Sequence, residues 1–232
     1  MGFGETVRIP GTDSAWPGLP VVVELVGPAA AGKTSLLLAL RSRIQPLRAG
    51  VRPPKYRHVG AAISLAPTFL RMHLACRTLL WKEMKRITYL STLQRLLTDA
   101  SLSRGGSVVL DEGAVYMLAR LRVMGQERVD GVAFEGWRGR ALEEWSRILD
   151  LVVWLDAPDA VLIRRLRTRS QAHPMKGMSD EAIGSFLSAY REAYAAVITE
   201  LRASGRPAIL NIRTDQEPVD QVADRVAGAM RR

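Results

Sequence analysis

The residues from Gly27 to Thr34 read Gly-Pro-Ala-Ala-Ala-Gly-Lys-Thr, which matches the phosphate-binding pattern G-x-x-x-x-G-K-[ST] in full. Its glycines let the backbone curl so that consecutive N–H groups point inward, and a helix opening near Gly32 adds its positive dipole end. The Lys33 ammonium can then bridge terminal phosphates, and the Thr34 hydroxyl can ligate Mg²⁺. The motif predicts a nucleotide-binding loop made of Gly27, Ala30, Ala31, Gly32, Lys33, Thr34 and Ser35.

Two adjacent acids form a second group that could do chemistry. Asp111 and Glu112 directly follow the hydrophobic run Val108–Leu110. An acid directly after a strand of a parallel sheet lies at the carboxyl edge of that sheet, beside the phosphate loop. There a carboxylate can hold Mg²⁺, usually through water, or accept the proton of an attacking hydroxyl group. We expect Asp111 to act in catalysis and metal binding, and Glu112 is a second candidate for the catalytic acid.

The arginine-rich segment DAVLIRRLRTR supplies a third group. Its four arginines are too closely spaced to share one helical face. At a helix end followed by a polar, glycine-containing loop, they suit a lid over about residues 164–178, whose guanidinium groups meet the charge on a transferring phosphoryl group. We expect Arg165 and Arg169 to act in catalysis, and Arg164 and Arg167 to contact the nucleotide. A solvent-facing basic helix is the alternative interpretation.

The elements that would position these groups follow from hydrophobic patterning. Short apolar runs, each followed by a turn and a helical pattern, predict strands at residues 21–26, 108–110, 151–155 and 208–212, and a weaker run predicts a strand at 59–64. Helical spacing predicts helices near residues 67–81, 83–103, 114–123, 159–168, 180–203 and 219–230. Ser179 is a candidate N-cap and Gly205 a candidate C-cap. Strands that alternate with helices imply a mostly parallel sheet covered on both faces.

Length and composition describe an ordinary folded chain. The sequence has 232 residues, of which 47% are hydrophobic and 24% charged, which argues against a disordered or collagen-like protein. The single cysteine, Cys76, excludes an intramolecular disulfide and gives no zinc-site spacing. No apolar run approaches the roughly 18 to 20 residues of a membrane span, so we expect a cytoplasmic protein without a membrane partner. Residues 1–20 are predicted to be a flexible leader before a single domain at 21–232.

The chain is strongly basic, with 33 Lys and Arg residues against 23 Asp and Glu residues and a net charge of +10. Of the 33 basic residues, 28 are arginines. Because a guanidinium group matches phosphate oxygens bidentately, this composition suggests phosphorylated or otherwise anionic partners, nucleic acid included. A genome whose codon usage favours arginine would produce the same excess.

Together these features resemble the P-loop kinases of nucleosides and nucleotides, above all the thymidylate kinase and deoxynucleoside kinase group. The resemblance spans about residues 21–230 and rests on Gly27–Thr34, on Asp111 and on the segment LDAPDAVLIRRLRTR. The segment NIRTDQEP, which begins at Asn211, resembles that group's adenine-holding loop after the last strand. The resemblance implies an α/β P-loop NTPase fold with a five-stranded parallel sheet, flanking helices and an Arg-rich lid. It also implies ATP as donor and Mg²⁺ as cofactor.

The leading functional expectation is transfer of the γ-phosphoryl group of ATP to a small acceptor, with nucleosides or nucleotides first. Kinases of a sugar, an antibiotic or a 5′-hydroxyl nucleic acid remain alternatives, as does a noncatalytic ATP-binding regulator. Nucleic acid is not favoured, because the sequence lacks the interleaved aromatic and basic residues of a single-strand platform. A GTPase switch is disfavoured because no N-K-x-D motif is present. Either a monomer or a homodimer is expected.

Overall fold

The computed structural model describes residues 21–76, 81–99, 106–125, 132–170, 173–203 and 206–231. The strands are β1 (Val22–Val26), β2 (Leu47–Ala49), β3 (Ser107–Leu110), β4 (Leu151–Asp156) and β5 (Ala208–Arg213). The helices are α1 (Lys33–Arg41), α2 (Lys55–Cys76), α3 (Trp81–Thr98), α4 (Ala114–Gly125), α5 (Val132–Ile148), α6 (Asp159–Thr168), α7 (Asp180–Arg202) and α8 (Val219–Met230), with a 3₁₀ turn at Pro174–Gly177. The predicted leader at 1–20 and the predicted cap at Gly205 lie outside the described residues.

The five strands form one parallel sheet in the order β2-β3-β1-β4-β5. Strand β1 lies at its centre, where alternate side chains point to opposite faces. Val23 and Leu25 pack into a core with α1, α6 and α8, whereas Val26 packs into a second core with α3, α4 and α5. Because both faces are covered, the three central strands β1, β3 and β4 are mostly buried hydrophobic runs, as the sequence patterning predicts. The predicted α/β fold with a five-stranded parallel sheet is confirmed.

The weaker strand predicted at 59–64 is wrong, because these residues lie inside helix α2. Buried side chains recur along one face of that helix at Ala61, Leu65, Phe69 and Met72. The expectation that a helix starts near Pro67 is also wrong, since Pro67 lies within α2. The strand that completes the sheet is β2, a three-residue edge strand paired only with β3 in the described structure. A strand this short, with Arg48 at its centre, leaves no hydrophobic run in the sequence.

The later helices agree closely with their predicted bounds. Helix α6 covers 159–168, α7 covers 180–202 and α8 covers 219–230. Ser179 caps α7, because its hydroxyl oxygen accepts a hydrogen bond from the Ala182 amide at 3.2 Å.

Since all five strands are parallel, the loops after β1, β3 and β5 meet at one edge of the sheet. Within the described ranges, no helix is both long enough and apolar enough to cross a bilayer.

Candidate active site

A cavity of about 900 Å³ opens at the carboxyl edge of the sheet. The phosphate loop follows the central strand β1 and forms the middle of the cavity wall. The strand order places the loop after β3 to one side of it and the loop after β5 to the other. The predicted residues that line this cavity are Gly27, Ala30, Ala31, Gly32, Lys33, Thr34, Ser35, Asp111, Glu112, Arg165 and Arg169. One cavity therefore brings together residues that are up to 142 positions apart in the chain.

The phosphate loop owes its path to its two glycines. Gly27 has φ +148°, and a Cβ built there would lie 2.1 Å from the Leu155 carbonyl oxygen of β4. Gly32 has φ +95° and adopts the left-handed conformation directly before α1. A side chain is therefore excluded by contact at the first position and disfavoured by backbone geometry at the second. The loop passes close over the end of β4 and presents the N-terminus of α1 to the cavity.

Lys33 lies folded inside this loop. Its Nζ donates hydrogen bonds to the carbonyl oxygens of Gly27 at 2.6 Å and Pro28 at 3.0 Å. Burial lowers the pKa of Lys33 to about 8, an effect that the negative charge of Asp111 opposes and the positive charge of Arg169 reinforces. The ammonium group of Lys33 is thus close enough to Asp111 and to Arg169 for both charges to affect its pKa.

The two acids that follow β3, Asp111 and Glu112, lie beside Lys33 in the cavity wall. Asp111 is exposed in the cavity wall and Glu112 is partly buried. Burial raises the pKa of Tyr89 to about 12, with further contributions from the negative charges of Glu112 and Asp111. Tyr89 on α3 therefore lies near Asp111 and Glu112 and keeps its proton at neutral pH. Sequence patterning placed Tyr89 only within a helix, and its position near these acids follows from the packing of α3.

The residues available for a metal fit Mg²⁺ in their chemistry. The Thr34 hydroxyl and the Asp111 carboxylate are hard oxygen donors, the ligand type that Mg²⁺ prefers, and both line the cavity. Across the described residues, no three His, Cys, Asp or Glu side chains cluster as a self-contained metal site. The donor set is therefore the sparse kind that relies on substrate oxygens and water to complete the coordination of Mg²⁺.

Glu24 is a buried acid behind the cavity that sequence reasoning did not single out. It lies in the central strand β1 with 0% of its surface exposed. Its Oε1 accepts a hydrogen bond from the Tyr116 amide at 2.9 Å, and its Oε2 accepts one from the Val115 amide at 3.0 Å. Both amides belong to the first turn of α4, where a carboxylate also meets the positive end of the helix dipole. Glu24 thus fastens the start of α4 directly behind Asp111 and Glu112.

The position after the two acids is matched to this buried carboxylate. A Cβ built on Gly113 would lie 2.5 Å from the Glu24 Cδ, so only glycine allows the close approach. Burial raises the pKa of Glu24 to about 7, and hydrogen bonds from the amides of residues 113–116 oppose that rise. The sequence signal was present: an acid in the middle of the apolar run VVVELV is unexpected unless the fold supplies partners for it.

The four arginines of the predicted lid divide into two groups. Arg165 and Arg169 line the cavity, whereas Arg164 and Arg167 are not part of its lining. Arg165 donates from Nη1 to the Thr214 hydroxyl and from Nη2 to the Thr214 carbonyl, both at 2.8 Å, which ties α6 to the loop after β5. Arg167 instead binds residues between α6 and α7.

Arg167 braces the residues that follow α6. Its guanidinium group donates to the Lys176 carbonyl, to the Met178 carbonyl at 2.6 Å and to the Asp180 carboxylate at 2.8 Å. These bonds join α6 to the 3₁₀ turn and to the first residue of α7. Arg167 therefore positions this segment, and its predicted contact with a nucleotide stays a prediction.

Helix α7 supplies the aromatic wall of the cavity. Phe186, Tyr190 and Tyr194 recur every four residues, and the ring centroids of the first two are 4.7 Å apart. Tyr116 of α4 joins them, with its hydroxyl accepting a 3.0 Å hydrogen bond from Arg120. The helical stripe of α7 was predicted to be core, and these rings are indeed largely buried. Their faces at the cavity were not evident from periodicity.

An ion-pair network around Arg191, which sequence reasoning did not single out, holds α7 in place. Arg191 binds the Asp156 carboxylate at the end of β4 at 2.9 Å and the Asp159 carboxylate at the start of α6 at 2.6 Å. It also donates to the Ala157 carbonyl at 2.9 Å. Because all three partners lie in the β4–α6 turn, Arg191 fixes the aromatic wall relative to the lid helix.

No protein-family model matches the sequence, and no curated protein matches it. Among solved structures, deoxyadenosine kinase from M. mycoides with dCMP and a flexible dCDP bound has a TM-score of 0.54 and 13% identity, covering 90% of this chain and 98% of that chain. The same enzyme with bound dATP has a TM-score of 0.51 and 12% identity, covering 89% of this chain and 98% of that chain. Shikimate kinase from Bacteroides thetaiotaomicron has a TM-score of 0.48 and 16% identity, covering 90% of this chain and 98% of that chain. At such identities the likeness to the two deoxyadenosine kinase structures shows the fold alone.

Proposed function

We propose that the protein transfers the γ-phosphoryl group of ATP to a hydroxyl group of a small acceptor, with nucleosides and nucleotides as the first acceptors to consider. The observation that carries this proposal is the shared cavity. It joins a phosphate loop with Lys33 to a pair of carboxylates, Asp111 and Glu112, and to an aromatic wall beyond them. A noncatalytic ATP-binding protein would use one such acid for Mg²⁺, but it has no need of a second acid or of a wall for an acceptor.

The donor nucleotide fits the β5 side of the cavity. Its triphosphate would lie on the inward N–H groups of the loop and the N-terminus of α1, with Lys33 turning from its carbonyl partners to the terminal phosphates. The adenine would lie toward Thr214 and Val219, which line the cavity on that side. Thr34 and Asp111 would hold Mg²⁺, which neutralises charge that develops on the phosphate oxygens.

The chemistry assigns each neighbouring group a task. An acceptor hydroxyl oxygen forms a bond to Pγ while the bond from Pγ to the bridging oxygen of ADP breaks. Asp111 or Glu112 takes the hydroxyl proton. Arg165 and Arg169 face the charge on the transferring group, which is where preorganised donors lower the barrier most. Glu24 acts through backbone, because it holds the start of α4 and hence the loop that carries both acids.

The acceptor fits the β3 side, where the aromatic wall begins. Tyr116 and Phe186, which are both partly exposed, present ring surface of the kind that packs against a flat, partly apolar molecule such as a nucleobase. Tyr190 and Tyr194 are buried and pack behind them. The fold neighbours from M. mycoides are structures with deoxynucleotides bound, which supports testing nucleosides first. Sugars and antibiotics share the required hydroxyl group and stay in the test panel.

The experiment is ADP release from ATP and Mg²⁺ across nucleosides, nucleotides, sugars, aminoglycosides and 5′-hydroxyl oligonucleotides, with mass spectrometry of the product. We expect acceptor-dependent turnover with a nucleoside or nucleotide and a mass gain of one phosphoryl group. Asp111→Asn should lower the rate strongly while ATP still binds in calorimetry, and Glu112→Gln should act mainly on acceptor affinity. Glu143→Gln, an exposed acid of α5, is the matched control.

Two results would contradict the proposal, and a third would reassign the catalytic acid within it. Tight ATP binding without turnover on the whole panel would favour a regulator. Turnover only with oligonucleotides would move the acceptor class to nucleic acid. If Asp111→Asn keeps near-parent turnover while Glu112→Gln is inactive, the two acids have exchanged roles and Glu112 is the catalytic acid.

A further inference from the structure

A separate cleft of about 550 Å³ opens along the edge strand β2. Among the described residues, none lines both this β2 cleft and the cavity over the phosphate loop. Strand β2 lies two strands from β1, which is about 10 Å across the sheet. Three arginines line the β2 cleft: Arg41 at the end of α1, Arg48 on β2 and Arg52 in the turn before α2.

The three arginines of the β2 cleft stand without a counter-charge. All three are exposed, and none forms a hydrogen bond or an ion pair with another residue that the structure describes. Two other arginines of the same chain segment differ. Arg43 binds Asp220 at 2.8 Å and Asp224 at 2.6 Å, and Arg57 binds Asp99 at 3.4 Å. The fold therefore pairs these two arginines and leaves those that line the cleft unpaired.

The lack of a counter-charge begins in the sequence. No Asp or Glu occurs from Leu25 to Lys82, a stretch that holds ten Lys and Arg residues. The walls that α1, β2 and the start of α2 give to the cleft all belong to this stretch. Helix α2 adds to the positive field, because it begins directly after Pro54 of the lining and has no acid in its first turn. Like charges that line one cleft repel each other unless an anion lies between them.

The rest of the described lining of the β2 cleft is apolar. It consists of Leu47, Ala49, Val51, Pro54 and Leu96. All of these except Pro54 are partly buried, whereas the arginines are exposed, so the cleft has an apolar inner surface and a cationic rim. Sites for small molecules combine an apolar lining with a few charged groups, and their volumes run from about 300 to 1,000 Å³. The β2 cleft falls within this range.

We propose that the β2 cleft binds a phosphorylated small molecule that carries a diphosphate or triphosphate group. A guanidinium group matches phosphate oxygens bidentately and stays charged at every physiological pH. A single phosphate monoester carries a charge of about −1.5 to −2 at pH 7. Three cations therefore exceed the charge of one phosphate and suit two or three linked phosphates, while the apolar inner surface packs against the rest of the molecule.

Two larger partners fit the β2 cleft less well. No aromatic side chain belongs to its described lining, so the bases of a single-stranded nucleic acid would have no ring on which to stack. An anionic membrane is flat, so its headgroups would meet the exposed arginines and leave the apolar inner surface empty. A compact phosphorylated molecule contacts both parts of the cleft at once.

The first test is isothermal titration with inorganic tripolyphosphate in low-salt buffer without Mg²⁺. Because a polyphosphate would also bind the phosphate loop, the full chain carries Lys33→Ala in this experiment, and we expect one binding site to remain. Adding Arg48→Gln or Arg52→Gln should weaken binding at least about tenfold, since each change removes a charge-assisted donor. Arg140→Gln, at an exposed position of α5 outside both sites, is the matched control and should leave the affinity unchanged.

A second measurement uses the parent chain, so that the test does not depend on the folding of Lys33→Ala. The parent should bind tripolyphosphate at two sites, and the double variant Arg48→Gln/Arg52→Gln should lose one of them while its circular dichroism melt stays unchanged. Pyrophosphate should compete for the lost site. Orthophosphate and sulfate should bind there at least about tenfold more weakly, because each can contact fewer arginines at once.

Three results would overturn the proposal. The first is binding that the Arg48→Gln/Arg52→Gln chain retains in full. The second is equal affinity for sulfate, orthophosphate and tripolyphosphate, which would reduce the β2 cleft to general screening of its charge. The third is a short oligonucleotide or a phosphatidylserine vesicle that displaces tripolyphosphate at a lower phosphate concentration and no longer binds the Arg48→Gln chain. That outcome would assign the arginines to a nucleic acid or to a membrane instead.

Discussion

The buried acid Glu24 leads to a prediction about how stability depends on pH. Burial raises its pKa from 4.5 to about 7 in the folded protein. Between these values the unfolded chain loses the proton while the folded chain keeps it, so raising the pH favours the unfolded state. The stabilising contribution is complete below pH 4.5 and is lost as the pH rises through 7. A difference of about 2.5 pH units corresponds to about 3 kcal/mol.

The variant Glu24→Gln isolates this contribution because an amide does not titrate. Its carbonyl oxygen can accept from one of the Val115 and Tyr116 amides, and leaving the other without an acceptor costs about 1–3 kcal/mol at every pH. The difference in unfolding free energy between parent and variant should therefore shift by about 3 kcal/mol from pH 4.5 to 7.5, because the parent becomes less stable relative to the variant as the pH rises. Urea unfolding at four pH values in this range measures it. A difference that stays constant within about 0.5 kcal/mol would refute the assignment.

Three further predictions concern the candidate site. ATP affinity should fall about tenfold from pH 7 to pH 9, because Lys33, with a pKa of about 8, must be protonated to meet the phosphates, and calorimetry giving a flat profile would contradict this. Gly27→Ala should weaken ATP binding at least about tenfold, since its Cβ would lie 2.1 Å from the Leu155 carbonyl, while Gly139→Ala, where a Cβ meets open space, should not. Arg169→Ala should slow single-turnover transfer about 100-fold with ATP affinity nearly unchanged. An unchanged rate would instead support the alternative, in which Arg169 belongs to a solvent-facing basic segment.

The fold was predictable to the level of its architecture because the dominant signals are local. A buried strand, a turn and an amphipathic helix are each written in consecutive residues, and their alternation leaves few arrangements other than a parallel sheet. The errors have the same origin. VGAAIS at 59–64 carries the composition of a short strand, yet Ala61 and Leu65 share a helical face with later residues, and burial of that face decides the outcome.

The sequence by itself determined the phosphate loop, because the strand, the two glycines, Lys33 and Thr34 are neighbours in the chain and interact through their own backbone. It also placed Asp111 at a strand end, which in a parallel sheet is the edge nearest that loop. Only the tertiary structure decided that Arg167 braces the lid while Arg165 and Arg169 line the cavity.

Tertiary structure likewise decided the partners of Glu24 and Arg191. The amides that satisfy Glu24 lie 91 and 92 residues away, and the two carboxylates that hold Arg191 belong to a different strand and helix. Periodicity states which face of an element is apolar, but what covers that face depends on how distant elements pack. The exposed apolar side chains of α2, such as Ile63 and Leu74, are the same case, because their spacing can be read from the sequence while their exposure appears only once the chain is folded.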